Sequence, residues 1–338
     1  MTKILKPKKI LIIGGEGYIG TVLSSYLLKK GYFVKSLDLL LYQNHTCILN
    51  NYGNEQYVFF YGDMADEQIL TKAIDGVESV VLLAGLVGDP ITKKYPEESA
   101  AINNRGVKTV IDACNNKGVK RLIFVSTCSN YGLIKTNEKA DENHVLNPLS
   151  HYAESKVAIE EYILSLQGKV DYHPTILRFA TAFGLSPRTR FDLTVNQFTR
   201  ELFLGRELLV YDAHTWRPYC HTQDFARLIH MVLETLEEKV NFEVFNVGGE
   251  VNNYTKQMIM DEILKMVPDG KVKYQKHDSD PRNYRVDFSK VKSVLGFEPQ
   301  YLVRDGIKEL ITAMKKHVFD LVDERKNFYG NYEIDYNI

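Results

Sequence analysis

The sequence predicts an α/β fold, a doubly wound, mainly parallel sheet with a smaller α/β lobe. Three observations lead there. Short apolar runs alternate with amphipathic helical stretches through the first half of the chain. A glycine-rich turn joins the first run to the first helix, and after about residue 184 the alternation gives way to irregular, proline-punctuated patterning. Alternation of this kind, with right-handed crossovers, leaves few topologies other than a parallel sheet covered on both faces.

Residues 10–13 read as a strand and 19–30 as a helix that stops at Gly31. Residues 33–38 and 57–61 are strands, and 68–74 a helix. Residues 79–84 form a strand with no polar face, the mark of burial on both sides. One long helix is predicted over 99–116, then a strand at 121–126, a helix at 151–166 and a strand at 175–179. Beyond residue 184, helices at 193–204, 222–237, 255–266 and 304–316 mix with strands at 208–211, 244–247 and 272–275. Pro187, Pro218, Pro268, Pro281 and Pro299 punctuate this part. The expected organisation is one domain over 1–184 and a smaller lobe over 185–318, with some chain crossing back to the sheet. Residues 319–338 make a charged, aromatic tail without a period, read as an oligomer arm or as frayed chain.

Bulk properties exclude several classes. The chain has 338 residues, 44% hydrophobic and 25% charged, within the range of globular proteins and long enough for about two structural units. A formal net charge of −1 provides no long-range field for nucleic acid or an anionic membrane, so neither is an expected partner. Cys47, Cys114, Cys128 and Cys220 form no C-x-x-C pair and no metal-ligand spacing. No metal is expected, and a reducing, cytoplasmic setting is. The apolar run behind the basic residues 1–9 is too short for a signal peptide or a membrane span.

The glycine-rich turn carries the first chemistry. Gly14, Gly17 and Gly20 follow a strand and open a helix. Gly14 permits the tight turn, Gly17 lets backbone N–H groups approach a pyrophosphate, and Gly20 lets helix and strand pack closely. Together with Tyr18 and Ile19 they make the phosphate cradle of a Rossmann domain, where the helix N-terminus offers unpaired donors. Asp38 closes the second strand, placed to accept hydrogen bonds from the adenosine ribose and to repel a 2′-phosphate. NAD is therefore favoured over NADP. Asp63 and Met64, after the third strand, are placed to meet the adenine amino group and ring, although Asp63 also reads as a simple helix cap.

Tyr152 and Lys156 share a helix face at i and i+4. A phenol near 10 is a poor base at neutral pH, and bringing it to near 7 takes about 4 kcal/mol of differential stabilisation. An ammonium and a positive nicotinamide ring in a water-poor cleft can supply that. Thr127 leaves a buried strand at its carboxyl end, where ligands of open parallel sheets bind, and its hydroxyl can join a proton relay to a sugar hydroxyl.

This combination resembles the extended short-chain dehydrogenase/reductase family, in its NAD-dependent epimerase/dehydratase branch, over about residues 8–315. The resemblance implies Thr127, Tyr152 and Lys156 as the catalytic trio. It implies Leu83, Ala84 and Gly85 beside the cofactor, Asn103 as the helix asparagine that supports the site, and Phe179 in the segment joining cofactor to substrate. For the substrate it implies Arg188, Asn196, Arg217, Tyr219 and Arg282, with Arg217 and Arg282 clamping a diphosphate. The run from Leu86 to Pro90, with Val87, Gly88 and Asp89 in it, and Ser129 are expected to line the sugar. The stretch Arg217-Pro218-Tyr219-Cys220-His221-Thr222-Gln223-Asp224 is similar to an R-x-Y-x-H-x-x-D stretch of the family.

Departures from the family narrow the reading. In 4,6-dehydratases the strand-end loop reads Thr-Asp-Glu, whereas Cys128 and Ser129 follow Thr127 here, so removal of water across C5–C6 is not expected. Cys128 is assigned to packing or to lining the substrate. The run from Phe183 to Arg190, with Asp192, Leu193, Val195 and Asn196, is similar to a subgroup acting on nucleotide-activated sugars and heptoses of bacterial surface polysaccharides, some of them C4 dehydrogenases. The implied activity is hydride transfer at C4, as epimerase or dehydrogenase, with a keto-sugar reductase or a 3,5-epimerase/reductase as the alternative. A non-catalytic dinucleotide sensor is disfavoured by the retained Tyr–Lys pair. The resemblance also implies a homodimer built on the helices at 99–116 and 151–166.

Overall fold

The computed structural model describes residues 8–135, 138–276 and 282–337. The basic residues 1–7 and Pro281 lie outside them. In chain order the strands are β1 (Lys9–Ile13), β2 (Phe33–Asp38), β3 (Tyr57–Tyr61), β4 (Ser79–Leu82), β5 (Arg121–Thr127), β6 (His173–Phe179), β7 (Thr181–Phe183), β8 (Leu208–Tyr211), β9 (Trp216–His221), β10 (Glu243–Val247), β11 (Asn253–Thr255) and β12 (Val272–Gln275). Seven of them form one parallel sheet in the order β10-β6-β5-β4-β1-β2-β3. The strand order reverses between β1 and β4, and at such a switch point the crossover chains diverge and leave a crevice at the carboxyl ends.

β1 shows why these runs become central strands. Successive side chains point to opposite faces. Ile10 and Ile12 join a core that includes Val125, Leu177 and Phe225, while Leu11 and Ile13 join another with Leu82, Phe124 and Ile159. With both faces covered, an apolar run needs no polar alternation. A third core, with Phe183, Val195, Ile263, Ile307 and Leu310, underlies the second half of the chain.

Four expectations are corrected. The run at 244–247 belongs to the main sheet: as β10 it pairs with β6 at the edge, Phe245 opposite Leu177. The strand predicted over 79–84 ends at Leu82, because the N–H groups of Leu83 and Ala84 both donate to the Ile13 carbonyl at 2.9 Å and the chain then leaves the sheet. The long helix over 99–116 is instead three pieces, Pro96–Ala100, a π-helical turn at Ala101–Gly106 and Val107–Ala113. The tail is not frayed: Phe319, Val322 and Phe328 are buried, and the Phe319 ring packs edge-on against Phe191 with centroids 4.9 Å apart. A three-stranded sheet, β11-β9-β7, was not anticipated, since its strands are short and Pro218 interrupts the pattern of β9.

Candidate active site

The carboxyl ends of β1, β2, β4, β5 and β6 open into a cavity of about 420 Å³, within the range of small-molecule sites. One wall is the glycine turn. A Cβ on Gly14 would lie 2.7 Å from the Ala84 nitrogen, and one on Gly20 2.2 Å from the Gly14 carbonyl oxygen. The turn is thus pressed against its own helix and against the end of β4, which leaves Gly17, Tyr18 and Ile19 on the cavity side. The Tyr18 ring lines the cavity, while its hydroxyl donates to the Gly184 carbonyl at 2.6 Å and ties the wall to the second half of the chain.

Asp38 accepts backbone N–H groups from Leu40 at 2.8 Å and Glu16 at 2.9 Å. Burial nevertheless pushes its carboxyl above the usual range. Asp63, Met64, Leu83, Ala84, Gly85 and Phe179 line the same wall. Phe179 is held by flat stacking on Phe225, with ring centroids 3.9 Å apart. Asn103 does not line the cavity. It sits behind the wall, where Oδ1 accepts the Leu86 N–H at 2.8 Å and Nδ2 donates to the Leu86 carbonyl at 3.0 Å. Gly85 is what lets it come close, since a Cβ there would meet Asn103 Oδ1 at 2.8 Å.

The reactive groups stand at the centre. The helix His151–Ser165 starts at Ser150, whose hydroxyl accepts the Ala153 N–H at 3.3 Å, so Tyr152 falls in the first turn and Lys156 one turn on. Both line the cavity with Thr127, whose Oγ1 caps the turn after β5 by accepting the Ser129 N–H at 3.1 Å. Lys156 Nζ donates to the Val125 carbonyl at 2.7 Å and lies 4.6 Å from the Phe124 ring centre. Burial pushes its pKa down to about 8, against the pull of the Glu160 carboxylate one turn further. Tyr152 is pushed well up by burial, opposed by the Arg190 charge and by a hydrogen bond with Thr127. The protein part of the site therefore disfavours phenolate, and the cation acting on Tyr152 in the structure is Arg190, which sequence reasoning had not singled out.

Beneath these groups lies a buried network. Arg178 donates from Nη2 to Glu160 Oε2 at 2.7 Å and from Nη1 to the Tyr131 hydroxyl at 2.9 Å. Asn130 donates to Glu160 Oε1 at 2.8 Å, and the Ser126 hydroxyl donates to the same oxygen. Glu160 and Ser126 are thereby fixed relative to the ends of β5 and β6.

The opposite wall is made of charged and phenolic side chains. Val87, Ser129, Arg217, Tyr219 and Arg282 line it. So do Asp89, from the run assigned to the sugar, and Arg190, Asp192 and Tyr284, which were not assigned roles. Arg190 grips Asp192 through two bonds, Nε to Oδ1 at 2.9 Å and Nη2 to Oδ2 at 2.6 Å. Arg282 is ion-paired with Asp89, and Arg217 lies 5.0 Å from the Tyr284 ring centre. Arg188 is found on the cofactor side instead, over the Tyr42 ring at 4.3 Å and within reach of the Asp38 charge.

Two residues expected to touch substrate do not line the cavity. Asn196 is wholly buried, donating to the Tyr18 hydroxyl at 3.0 Å and the Arg190 carbonyl at 2.8 Å and accepting the Gly184 N–H at 3.1 Å. It brackets the two halves together. Cys128 is buried and its thiol donates to the Arg178 carbonyl at 3.1 Å, so it packs rather than lines. Burial also pushes that thiol well up. His221 and Asp224 of the R-x-Y-x-H-x-x-D stretch are structural as well. His221 bonds Glu309 at 2.7 Å, and Asp224 accepts the Gln300 and Tyr301 N–H groups at 3.0 Å.

The residues fit a dinucleotide. The wall offers a glycine turn at a helix start and a half-buried carboxylate at the end of β2. It also carries Arg188, 3% exposed, whose Nε has no hydrogen-bond partner. Fold and site thus define a dinucleotide-dependent enzyme with a Tyr–Lys pair. The sequence matches the model of the NAD dependent epimerase/dehydratase family over residues 10–248, and the chain belongs to that family. Its cofactor is NAD. It is 26% identical over 314 residues to a UDP-glucose 4-epimerase of Halalkalibacterium halodurans, covering 86% of this chain and 91% of that one. It is 25% identical to a UDP-glucuronate 4-epimerase of Thermodesulfobacterium geofontis, covering 91% and 96%. Among solved structures it is similar to a UDP-glucose 4-epimerase of Thermotoga maritima with UDP-glucose, at a TM-score of 0.81 and 25% identity, covering 92% of this chain and 99% of that one. Among the described residues no helix is long and apolar enough to cross a membrane.

Proposed function

We propose that the protein oxidises a nucleotide-activated sugar at C4 and returns the hydride to the opposite face of the ring, acting as a 4-epimerase. The observation that carries this reading is the meeting of Thr127, Tyr152 and Lys156 in one cavity, between the glycine turn and the wall holding Arg217 and Arg282. NAD, when bound, supplies the hydride acceptor and a positive ring. Tyr152 takes the C4 hydroxyl proton, and Thr127, hydrogen-bonded to it, orients the phenol. Lys156, held by the Val125 carbonyl, keeps two N–H donors for the nicotinamide ribose hydroxyls. Gly17, Tyr18, Ile19 and Gly20 hold the pyrophosphate, Asp38 the adenosine ribose, and Asp63 and Met64 the adenine. Arg217 and Arg282 take the substrate diphosphate, and Val87, Ser129 and Tyr219 border the sugar.

Net dehydrogenation is the second reading of the same site, and it differs only in whether ketone and reduced cofactor leave. Dehydration is not supported: positions 128 and 129 carry a buried thiol and a hydroxyl that meets Tyr284 at 3.3 Å, where that reaction needs an acid and a base. A place in the synthesis of bacterial surface-polysaccharide sugars goes with this reading. The test is incubation with UDP-, GDP-, CDP- and dTDP-sugars and catalytic NAD. A C4 epimer with no lasting rise in absorbance at the reduced-cofactor band is expected. Stoichiometric ketone and reduced cofactor would replace epimerisation by dehydrogenation, and no turnover of any of the sugars would remove the reading.

A further inference from the structure

Residues 319–337 lie beyond the span of the family match, yet they return to the cavity. Phe319 and Tyr329 pack around Phe191, and the Phe191 N–H donates to the Tyr329 carbonyl at 2.8 Å. From this anchor the chain crosses the cavity. Asn331, 6% exposed, is tied to the substrate wall twice, its backbone N–H donating to Asp192 Oδ2 at 3.1 Å and its Nδ2 to the Val87 carbonyl at 3.0 Å, and to the cofactor side through Arg188. Its Oδ1 and the Gly330 carbonyl receive Arg188 Nη2 at 2.8 and 3.1 Å. Further on, the Tyr336 hydroxyl donates to Asp63 Oδ2 at 2.7 Å. Asn331 and Tyr336 line the same cavity as Gly17, Asp38 and Tyr152.

Two features show that this is more than packing. Asp63 is the carboxylate assigned to adenine, and Tyr336 holds one of its oxygens. The segment also grips the Arg188 guanidinium, whose Nε is left buried without a partner, in the wall whose glycine turn is assigned to the pyrophosphate. A guanidinium fixed at one end with a spare donor suits a diphosphate oxygen.

We propose that residues 330–337 are part of the dinucleotide site: they orient Arg188 toward the diphosphate, complete the adenine end through Tyr336, and slow the release of NAD. The proposal rests on the placement of NAD given under Proposed function, and it deepens that reading. Departure of the cofactor requires the Asn331 bonds to both walls and the Tyr336 bond to open.

The test is the dissociation rate of NAD from the loaded full-length protein, read by chase with excess labelled NAD. Compared are wild type, Asn331→Ala, Tyr336→Phe and a chain ending at Glu333, with thermal melting as the check on folding. Loss of one or two hydrogen bonds predicts release faster by about fivefold for each point variant and at least about tenfold for the shortened chain. Rates within about twofold of wild type in both point variants overturn the proposal, whether or not the shortened chain folds. Asp38→Ala separates the two ideas. If it weakens NAD binding while the Asn331 and Tyr336 variants do not, this inference alone fails. If it leaves NAD affinity unchanged, the placement of the cofactor fails and the inference with it.

Discussion

The cofactor wall of the cavity presents mainly backbone and apolar surface, Gly14 to Gly20, Leu83 to Gly85 and Phe179, whereas the opposite wall presents Arg190 with Asp192, Arg282 with Asp89, and Arg217 over Tyr284. The first is set by strand ends and by a buried network beneath them. The second is set by side chains that hold one another. A wall of backbone offers the same donors whatever the ligand state, while ion-paired side chains can exchange partners when a diphosphate enters. Damage to the two walls should accordingly differ in kind: stability and chemistry on one side, affinity on the other.

The largest effect is expected beneath the cofactor wall. Glu160→Gln leaves Arg178 buried without a counter-charge and should cost about 3–5 kcal/mol of unfolding free energy, measured by denaturant titration. A loss below about 1 kcal/mol would show that the network is not what fixes this wall. Next, Tyr152→Phe keeps the ring and removes the proton-transfer group. Turnover should drop by about a hundredfold or more while the NAD dissociation constant changes little. Unchanged turnover would end the assignment of Tyr152.

Much of this contrast could be read from the sequence, and the reason is local. Backbone sites require glycines and strand ends at fixed offsets, so Gly14, Gly17, Gly20 and Asp38 were visible as pattern. Tyr152 and Lys156 were visible because one helical turn brings i and i+4 together. The opposite wall depends on contacts between segments far apart in the chain, such as Asp89 with Arg282, and no spacing rule announces them. Asn196 shows the converse failure. Its position was matched to the substrate, but its amide is used up by Tyr18, Gly184 and Arg190 inside the protein. Asn331 and Tyr336 carried no sequence signal, because an aperiodic segment gives no sign of what it folds against.

On the substrate wall the expected effects are smaller and fall on binding. Arg282→Ala removes one charge-assisted contact to a diphosphate, so KM for the nucleotide sugar should rise about tenfold with kcat and NAD affinity nearly constant. A fall in kcat without a change in KM would place Arg282 in the chemistry instead. The smallest effect concerns pH. Because burial lowers Lys156 to about 8, its ammonium is present below that pH and is lost as pH rises through it. NAD affinity should therefore weaken severalfold between about pH 7 and 9, and Lys156→Arg should flatten that limb in a binding titration. A profile unchanged by the substitution would assign the limb to another group.

The π-helical turn at Ala101–Gly106 has a consequence for how the chain tolerates insertions and deletions. Each residue of a helix is rotated from its predecessor by about 100°, so the wider turn acts as a phase adjuster that brings the Asn103 amide round to Leu86. Shortening the segment by one residue, harmless at many exposed helix positions, would swing that amide away and leave the backbone before Val87 without its brace. The length of this stretch is therefore as constrained as the identity of the asparagine within it.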